Sequence, residues 1–282
     1  MISRGADQDG TYSDVIIVGA GISGINAAYR VQTQVPDYSY TLLEARGEIG
    51  GTWALFKYPG IRSDSDLHTF GFAWRPWQEH RAIADGESIV KYVRSCAEAE
   101  GIDQHIRFHH KLVHADWSSD QQMWTLTVDN NGEQKYFHAR FVMLGTGYYD
   151  YDHPLEAKIP GLENFKGEII HPQFWPEDLQ YDNKKMVVIG SGATAITLIP
   201  NLADRAEKVT MVQRSPSYIM SLPNPSDSWS YRFMPSWLAH RLDRLRFLIF
   251  PFLFFKFCRA YPNAARKIMR TATTKLLPDT IS

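Results

Sequence analysis

The stretch DVIIVGAGISGINAAYRVQ, residues 14–32, decides the fold, because a short apolar run leads through three spaced glycines into a helix pattern. The run Asp14–Val18 predicts a buried strand, and the residues after it predict a helix. Gly-x-Gly-x-x-Gly between a strand and a helix is the fingerprint of a dinucleotide-binding unit. We expect Gly19 to form the tight turn, Gly21 to let a pyrophosphate approach the backbone, and Gly24 to allow close packing of the helix on the strand.

A carboxylate follows at the end of the next predicted strand, Tyr40–Ala45. Glu44 lies 20 residues after Gly24, a separation at which an acidic side chain accepts hydrogen bonds from ribose hydroxyls and repels a 2′-phosphate. Backbone N–H groups at the helix start, where Ser23 lies, hold the phosphate charge. The first unit therefore predicts FAD or NAD as its ligand. The alternative is an ordinary strand–turn–helix without a ligand.

A second unit of this kind begins at KKMVVIGSGATAITLIPNL, residues 184–202, and continues to the strand KVTMVQRS, residues 208–215. Its turn comprises Gly190, Ser191, Gly192, Ala193, Thr194 and Ala195. The strand after it ends at Arg214 and Ser215, with no acid. A guanidinium there pairs bidentately with a 2′-phosphate, which predicts NADP. The alternative is a surface arginine without a ligand.

The order of these patterns predicts an α/β chain with two dinucleotide-binding, Rossmann-like domains. We expect the amino-terminal part of a FAD-binding domain at residues 1–147 and a linker with the amino-terminal part of an NADP-binding domain at 148–222. A helical segment is expected at 223–282. Two unlike ligand preferences in one chain indicate a flavoprotein that is reduced by NADPH.

The region between the two units carries one helix pattern and three strand patterns. Residues 87–100 are amphipathic, with one apolar face formed by Ile89, Val90, Val93, Cys96 and Ala97. Alternating polarity in residues 106–117, 123–130 and the start of 135–147 predicts an antiparallel meander in the first domain. The run Phe141–Leu144 is continuously apolar, which predicts a strand that is covered on both faces.

Composition excludes several classes of protein. The chain has 282 residues, enough for two domains that each bury a core. Its net charge of −1 argues against nucleic acid as a partner, which needs a clustered basic excess. Two cysteines, Cys96 and Cys258, offer neither metal-ligand spacing nor a disulfide framework, so a cytoplasmic location is expected. The polar start of the chain lacks the apolar core of a signal peptide.

One apolar run, FLIFPFLFF at residues 247–255, raises the question of a membrane. Nine residues, broken by Pro251 and ended by Lys256, are too short to cross a hydrocarbon layer of roughly 30 Å. Arginines flank the run, so a peripheral membrane contact through 247–255 is one interpretation. The other is a buried helix, or a surface covered by chain that is absent here. Leu238, Leu242, Leu245 and Ile249 recur at helical spacing in this region.

Two further stretches resemble the Baeyer–Villiger monooxygenases, the ketone-oxygenating branch of the flavin-containing monooxygenases. GGTWALFKYPGIRSD, residues 50–64, has that family's glycine pair, Trp, Tyr-Pro-Gly and Asp. FKGEIIHPQFWP, residues 165–176, matches its signature Phe-x-Gly-x3-His-x3-Trp followed by Pro or Asp. Trp175 is the Baeyer–Villiger form of that signature. The resemblance covers almost the whole chain and looks closest to the actinobacterial subgroup that includes the ethionamide-activating monooxygenase.

The resemblance implies roles for residues in these stretches. It implies flavin contacts for Gly51, Thr52 and Trp53 and NADP contacts for Arg62, Ser63 and Asp64, and Leu112 joins the cofactor-binding set. It also implies that Asp64 is catalytic, because this acid orients an arginine that stabilises the negative charge of a peroxyflavin. That arginine belongs to a family stretch beyond Ser282. The alternative for Asp64 is an acid that caps a loop.

His171 lies in the second stretch, just before the second glycine turn. The resemblance implies that this segment couples domain movement to the flavin site, and a few loop residues between domains are a reasonable hinge. We therefore count His171 among the catalytic residues as a hinge part. A core histidine with a satisfied hydrogen bond is the main alternative. A metal role has little support, because no second His or Cys stands at ligand spacing.

By resemblance, the function is that of an NADPH- and FAD-dependent monooxygenase acting through a flavin peroxide. Its substrates would be O2 and a small ketone, or the sulfur of a thioamide or sulfide. The alternative is a truncated, catalytically inactive dinucleotide-binding fragment of such an enzyme. An NADPH-dependent flavin reductase is a weaker third interpretation, because the chain has no redox cysteine pair and carries Trp175.

Overall fold

The computed structural model describes residues 11–155, 157–215, 219, 224 and 233–275. Its contacts divide the chain into two compact units, Met1–Tyr58 with Gly86–Leu179 and Pro59–Asp85 with Gln180–Ser282. The segment 59–85 therefore belongs, by its contacts, with the later part of the chain. The functional boundaries at residues 147 and 222 stay a prediction.

The secondary structure follows the predicted alternation of strands and helices. The strands are β1 Tyr12–Val18, β2 Tyr40–Leu43, β3 Ile106–Arg107, β4 Lys111–Ser118, β5 Met123–Asn130, β6 Glu133–Leu144, β7 Lys185–Ile189 and β8 Lys208–Val212. The helices are α1 Ile22–Gln34, α2 Thr52–Leu55, α3 Leu67–Phe70, α4 Gly86–Ala99, α5 Ala193–Ala203, α6 Ser236–Ala260 and α7 Pro262–Thr274. Short 3-10 helices lie at Ile102–His105, Leu162–Asn164 and Pro172–Phe174.

The first unit is built on a six-stranded sheet in the order β3-β2-β1-β6-β5-β4. Strands β3, β2, β1 and β6 run parallel, and β6, β5 and β4 form the predicted antiparallel meander. The predicted strand 106–117 is divided into β3 and β4, because the chain turns at His109, whose φ is +59°. A parallel β–α–β arrangement with a meander confirms the predicted α/β, Rossmann-like fold class.

Strand β6 joins the two parts of this sheet. Its middle residues pair on both sides, since His138 is opposite Tyr12 of β1 and Thr125 of β5. One face of the sheet buries a cluster formed by Ile16, Val18, Leu43, Leu126, Val128, Phe137 and Ala139. The parallel part and the meander therefore share one continuous core.

Helix α4 confirms the predicted amphipathic pattern. Ile89, Val93, Cys96 and Ala97 are buried, and Val90 is half-buried. Tyr92, on the same helix, is also buried.

The prediction that Phe141–Leu144 is covered on both faces is wrong for the described structure. Phe141 and Met143 are 49% and 42% exposed. They pair with Val15 and Ile17 of β1 and share a face with them. Val15 and Ile17 are buried, so this face of the sheet is covered over β1 but only partly covered over β6.

The second unit contains the parallel pair β7 and β8, with α5 between them in sequence. A bidentate ion pair joins the segment before β7 to the segment after α5. Arg205 Nε and Nη2 donate to the Asp182 carboxylate at 2.6 and 2.9 Å. The pairing lowers the pKa of Asp182 below its ordinary value. Alternate residues of the two strands are exposed, among them Val187, Ile189 and Val212.

Helix α6 differs from two expectations. It runs through Pro251 without ending, although a proline inside a helix removes one backbone hydrogen bond. Its buried residues are Ala239, His240 and Asp243, whereas the leucine stripe at helical spacing points largely outward. In the described structure seven of the nine residues of 247–255 are exposed, so the run is not a buried helix here; a surface covered by chain that is absent here stays a prediction. Among the described residues, no helix is long and apolar enough to cross a membrane.

Two histidines are buried where α3 and α6 meet in the second unit. His68 is 4% exposed and His240 is 8% exposed. Arg244 Nη1 donates to the His68 carbonyl at 2.7 Å, and the His68 ring stacks on Phe247 with centroids 5.4 Å apart. Burial lowers the pKa of both imidazoles, against the opposing pull of the Asp243 carboxylate. Asp66 and a backbone hydrogen bond with His80 also raise the pKa of His68, and the charge of His80 opposes them. The charge of His68, and then that of His80, further lowers the pKa of His240.

We expect the second unit to lose stability as the pH falls below about 6.5, the ordinary pKa of histidine. Below that pH the two histidines are protonated in the unfolded chain but remain neutral in the folded chain until their lowered pKa is reached. The free energy of unfolding therefore decreases with falling pH. Urea unfolding curves recorded at pH values between about 5 and 8 measure this slope.

His240→Gln removes one of the two titrating groups and flattens the pH dependence. Val187→Ser, which changes an exposed, uncharged residue of β7 in the same unit, is the control and leaves the slope unchanged. An identical slope in His240→Gln and the unaltered chain would contradict the assignment.

Candidate functional site

A cavity of about 470 Å³ lies in the first unit, at the carboxyl ends of β1 and β2. In open parallel sheets, ligands bind in the crevice outside the carboxyl ends of the strands. Eight of the predicted cofactor-binding residues line it: Gly19, Gly21, Ser23, Glu44, Gly51, Thr52, Trp53 and Leu112. The remaining predicted residue of the first turn, Gly24, lies behind the lining.

The first glycine turn is packed backbone against backbone. Gly19 has a φ of +101°, and a Cβ on Gly24 would stand 1.7 Å from the Gly19 carbonyl oxygen. A Cβ on Gly19 would stand 2.6 Å from the carbonyl oxygen of Gly145, just beyond β6. The backbone of Gly21 also lies close to that of Gly51, since a Cβ on Gly51 would lie 3.1 Å from the Gly21 Cα. No side chain stands between these backbones, so this part of the cavity wall is bare backbone.

Glu44 closes the end of β2 beside this turn and is 6% exposed. Its Oε2 accepts from the backbone N–H of Ala20 at 2.7 Å, and its Oε1 accepts from the N–H of Arg46 at 2.9 Å. The carboxylate is therefore fixed at the mouth of the glycine turn, where the sequence predicts it. Two backbone donors fix the orientation of this carboxylate, which lines the cavity.

Arg46 links three parts of the cavity wall. Its Nη2 donates to the Gly51 carbonyl at 2.6 Å, and its guanidinium carbon lies 5.4 Å from the centre of the Tyr151 ring. Tyr151 in turn lies in hydrogen-bonding contact with the Thr52 hydroxyl, at 3.3 Å. A partly exposed cation at this place supplies positive charge to the wall that faces the glycine turn.

The outer rim carries both signs of charge. Lys111 Nζ donates to the Asp152 carboxylate, and this hydrogen bond raises the pKa of the lysine. Backbone N–H groups of Asp152 and His153 donate to the Asp150 carboxylate and lower its pKa. Lys111 therefore stays cationic and Asp150 stays anionic near neutral pH.

Tyr149 lines the cavity as a neutral phenol. The pKa of Tyr149 is raised to about 12. The larger cause is its hydrogen bond with the Tyr148 hydroxyl, and the second is burial. Its ring meets Phe56 edge to face, with centroids 5.0 Å apart. The hydroxyl keeps its proton throughout the physiological range.

Sequence reasoning missed part of this wall. The missed residues include Arg46, His110, Lys111, Gly145, Thr146, Gly147, Tyr149, Asp150, Tyr151 and Asp152. One signal was available, because Gly-Thr-Gly at 145–147 follows an apolar strand, as the two recognised turns do. For Arg46 and Lys111 the sequence carries no comparable signal, since their position depends on which strands pair.

The second glycine turn lies in the second unit, between β7 and α5. Gly190 has a φ of +135°, and its N–H donates to the Val212 carbonyl at 2.8 Å. The Ser191 hydroxyl donates to the Ser215 carbonyl at 3.4 Å. Gly192 precedes α5, whose first residues are Ala193, Thr194 and the buried Ala195. These bonds hold residues 212–215, including the exposed Arg214, alongside the turn.

Arg62, Ser63 and Asp64 also belong to the second unit. Arg62 Nε lies 3.4 Å from Asp64 Oδ1, and about half of each side chain is exposed. Ser63 is buried, and its N–H donates to the Ala84 carbonyl at 2.9 Å. The capping of α3 is carried by Asp66, whose Oδ1 accepts from the Thr69 N–H at 2.8 Å. Asp64 is thus an exposed, ion-paired carboxylate held on an anchored loop.

His171 lies in the first unit and caps the 3-10 helix Pro172–Phe174. Its Nδ1 accepts from the Gln173 N–H at 3.2 Å, and the residue is exposed, so it is not a core histidine. Gln173 is buried and its amide donates to the Asp150 carbonyl, which joins this helix to the cavity rim. Within the described ranges, no three His, Cys, Asp or Glu side chains are grouped to hold a metal.

Known proteins resemble this chain in sequence and in structure. The sequence matches the family described as flavin-binding monooxygenase-like over residues 13–234. It is 50% identical over 269 residues to the FAD-containing monooxygenase EthA of Mycolicibacterium smegmatis, covering 94% of this chain and 55% of that protein. The chain therefore spans about half the length of the curated relatives it matches.

Two solved structures share the fold. Cyclohexanone monooxygenase from Rhodococcus sp. Phi1, bound to NADP+, has a TM-score of 0.66 at 26% identity, covering 78% of this chain and 41% of that one. OTEMO in complex with FAD and NADP has a TM-score of 0.67 at 26% identity, covering 86% and 44%.

The packing of the first turn predicts an asymmetry between two glycines. Gly24→Ala forces a Cβ against the Gly19 backbone, so we expect a loss of about 1–3 kcal/mol or more in the free energy of unfolding. Gly192→Ala is the matched control, because its φ is −79° and its Cβ would meet nothing within 4 Å. Urea unfolding of both variants measures the difference. Equal stability of the two variants would refute the packing described for Gly24.

Proposed function

The chain belongs to the flavin-binding monooxygenase-like family, and from that premise we propose that it carries the dinucleotide-binding elements of an NADPH- and FAD-dependent monooxygenase. The observation that carries the proposal is the contrast between two glycine turns. Glu44 is fixed beside the first turn, and the segment with Arg214 is hydrogen-bonded beside the second. An acid disfavours a 2′-phosphate and a guanidinium favours one, so the two turns select unlike dinucleotides.

The first cavity fits the adenosine and pyrophosphate arm of FAD. Its floor is bare backbone at Gly19, Gly21 and Gly51, and a Cβ at the first or the last would clash or crowd the opposite backbone. Helix α1 begins at Ile22 and directs its amino terminus at the same space, which favours phosphate there. Glu44 would hold the ribose. When bound, the flavin supplies electron transfer from NADPH to O2.

The residues around this cavity orient and insulate the cofactor. Arg46 ties the end of β2 to Gly51 and so keeps the two walls at a fixed separation. Tyr149 offers a hydroxyl that stays protonated, and Trp53 offers a flat apolar wall. We assign Asp64 to catalysis through its negative charge on the anchored loop of the second unit, where Arg62 and Ser63 would contact NADP.

We assign oxygen transfer to small ketones, or to the sulfur of thioamides and sulfides, as the reaction of the whole protein. One oxygen atom of O2 enters the substrate and the other leaves as water, with NADPH as the electron donor. The name of the relative cyclohexanone monooxygenase supports a ketone substrate. We place His171 as a hinge part, because its helix is joined to the cavity rim through Gln173. A cytoplasmic location accords with this use of NADPH.

The reaction is tested with isotopically labelled oxygen. The protein is supplied with FAD, NADPH and cyclohexanone or a thioamide under ¹⁸O2, and the product mass is measured. Incorporation of a single labelled oxygen atom is expected. Consumption of NADPH with hydrogen peroxide as the sole oxygen product would indicate a flavin oxidase or reductase instead.

Cofactor selection is tested at Arg214. We expect Arg214→Ala to weaken NADPH binding by roughly 10- to 150-fold, the loss of one or two hydrogen bonds to a charged group, and to leave NADH binding unchanged. Isothermal titration with the two nucleotides measures both affinities. Lys184→Ala, at the opposite end of β7 from the glycine turn, is the control. A preference for NADPH that survives in Arg214→Ala would show that another residue reads the 2′-phosphate.

A further inference from the structure

Helices α6 and α7, residues 236–275, form a surface element that we call the basic helical pair. Eleven of its large apolar side chains are exposed: Trp237, Leu242, Leu245, Leu248, Ile249, Phe250, Phe252, Leu253, Phe255, Tyr261 and Ile268. Helix α6 buries only residues in its first two turns, and none of its described residues after Asp243 is buried. An exposed apolar surface of this extent marks an interaction site.

The charge of the basic helical pair is opposite to that of the rest of the chain. Residues 236–275 contain nine Lys and Arg and a single acid, Asp243, which gives a formal charge of +8. The rest of the chain has 21 Lys and Arg against 30 Asp and Glu, a formal charge of −9. The near-neutral total therefore hides a strongly cationic element whose one carboxylate is buried.

The cations lie over the aromatic rings of the apolar surface. Charged groups of Arg241, Lys256 and Arg259 stand 5.7, 5.5 and 5.9 Å from the ring centres of Trp237, Phe252 and Phe255. Long basic side chains in this arrangement cover apolar surface with their stems and keep their charged ends at its border. Helix α7 adds Arg266, Lys267 and Arg270, which lie within two turns and are all exposed.

The apolar part of α6 is too short to cross a hydrocarbon layer. Residues 245–255 span about 16 Å along the helix, roughly half of a 30 Å hydrocarbon layer. A helix of this kind lies in the boundary between headgroups and acyl chains, with aromatic residues buried and cations at the phosphates. We propose that the basic helical pair binds the surface of an anionic lipid bilayer and anchors the protein there without crossing it.

Charge distinguishes three occupants of this surface: a second copy, a nucleic acid and a bilayer. A second copy would bring another formal charge of +8 against the first, and like-charge juxtaposition opposes such an interface. Nucleic acid would match the cations but would leave the phenylalanines in water. An anionic bilayer satisfies both groups, because phosphates meet the cations and acyl chains receive the rings.

Vesicle flotation with the 282-residue chain tests the proposal. We expect binding to vesicles of phosphatidylcholine with phosphatidylglycerol, little binding to phosphatidylcholine alone, and release as the salt concentration rises. The triple variant Arg266→Gln, Lys267→Gln, Arg270→Gln should bind about a hundredfold more weakly, at roughly fivefold for each cation. Phe250→Ser with Phe255→Ser should weaken binding at least about tenfold.

Matched changes elsewhere in the second unit serve as controls. The triple variant Lys184→Gln, Lys185→Gln, Lys208→Gln removes the same charge, and Val187→Ser removes an exposed apolar side chain. Both should bind vesicles like the unaltered chain. All substituted residues are exposed, and far-ultraviolet circular dichroism of each variant verifies that helix content is retained.

Three results would overturn the proposal. The first is the absence of binding to anionic vesicles, and the second is equal loss of binding in the control and test variants. The third is lipid-independent self-association that Phe250→Ser with Phe255→Ser abolishes, which would make the surface an interface between copies. None of these measurements involves flavin or NADPH, so their outcome is independent of the proposed reaction.

Discussion

The close approach of backbones at Gly19, Gly24 and Gly145 is the constraint on which the first unit depends. It brings the start of α1, the end of β1 and the end of β6 together with no side chain between them. Only glycine permits this contact, because a single methyl group at Gly24 would overlap the Gly19 carbonyl oxygen. The same contact leaves the floor of the cavity as bare backbone. The packing of the turn and the open backbone floor of the cavity therefore have one cause.

The elements whose signals are local could be predicted from the sequence. The glycine turns, the amphipathic helix α4 and the carboxylate of Glu44 depend on residue type and short spacing, and the structure places Glu44 beside its turn. Arg46 and Lys111 were missed, because a cation near a strand end says nothing about which wall it faces until the strands have paired. Tyr149 lines the cavity only because the stretch after β6 folds against it, which no local pattern predicts.

Burial was harder to predict than secondary structure. Periodicity indicates which side chains share a face, but it does not identify what that face meets. The leucine stripe of α6 has a correct helical spacing and yet is exposed, while the side that is buried carries His240 and Asp243. The apolar run Phe141–Leu144 illustrates the same point in a strand, since its neighbour β1 is covered and β6 is only partly so.

Strand β6 connects the turn of the β5–β6 hairpin to the cavity. It begins at Glu133, directly after the turn at Asn131 and Gly132, and it ends one residue before Gly145. A slip of one residue in the register of the meander would shift Gly145 by about 3.3 Å and reverse the faces of the strand. The register of the hairpin therefore determines where Gly145 lies in the crevice. Insertions in the hairpin loop are tolerated only if they leave the β5–β6 register unchanged.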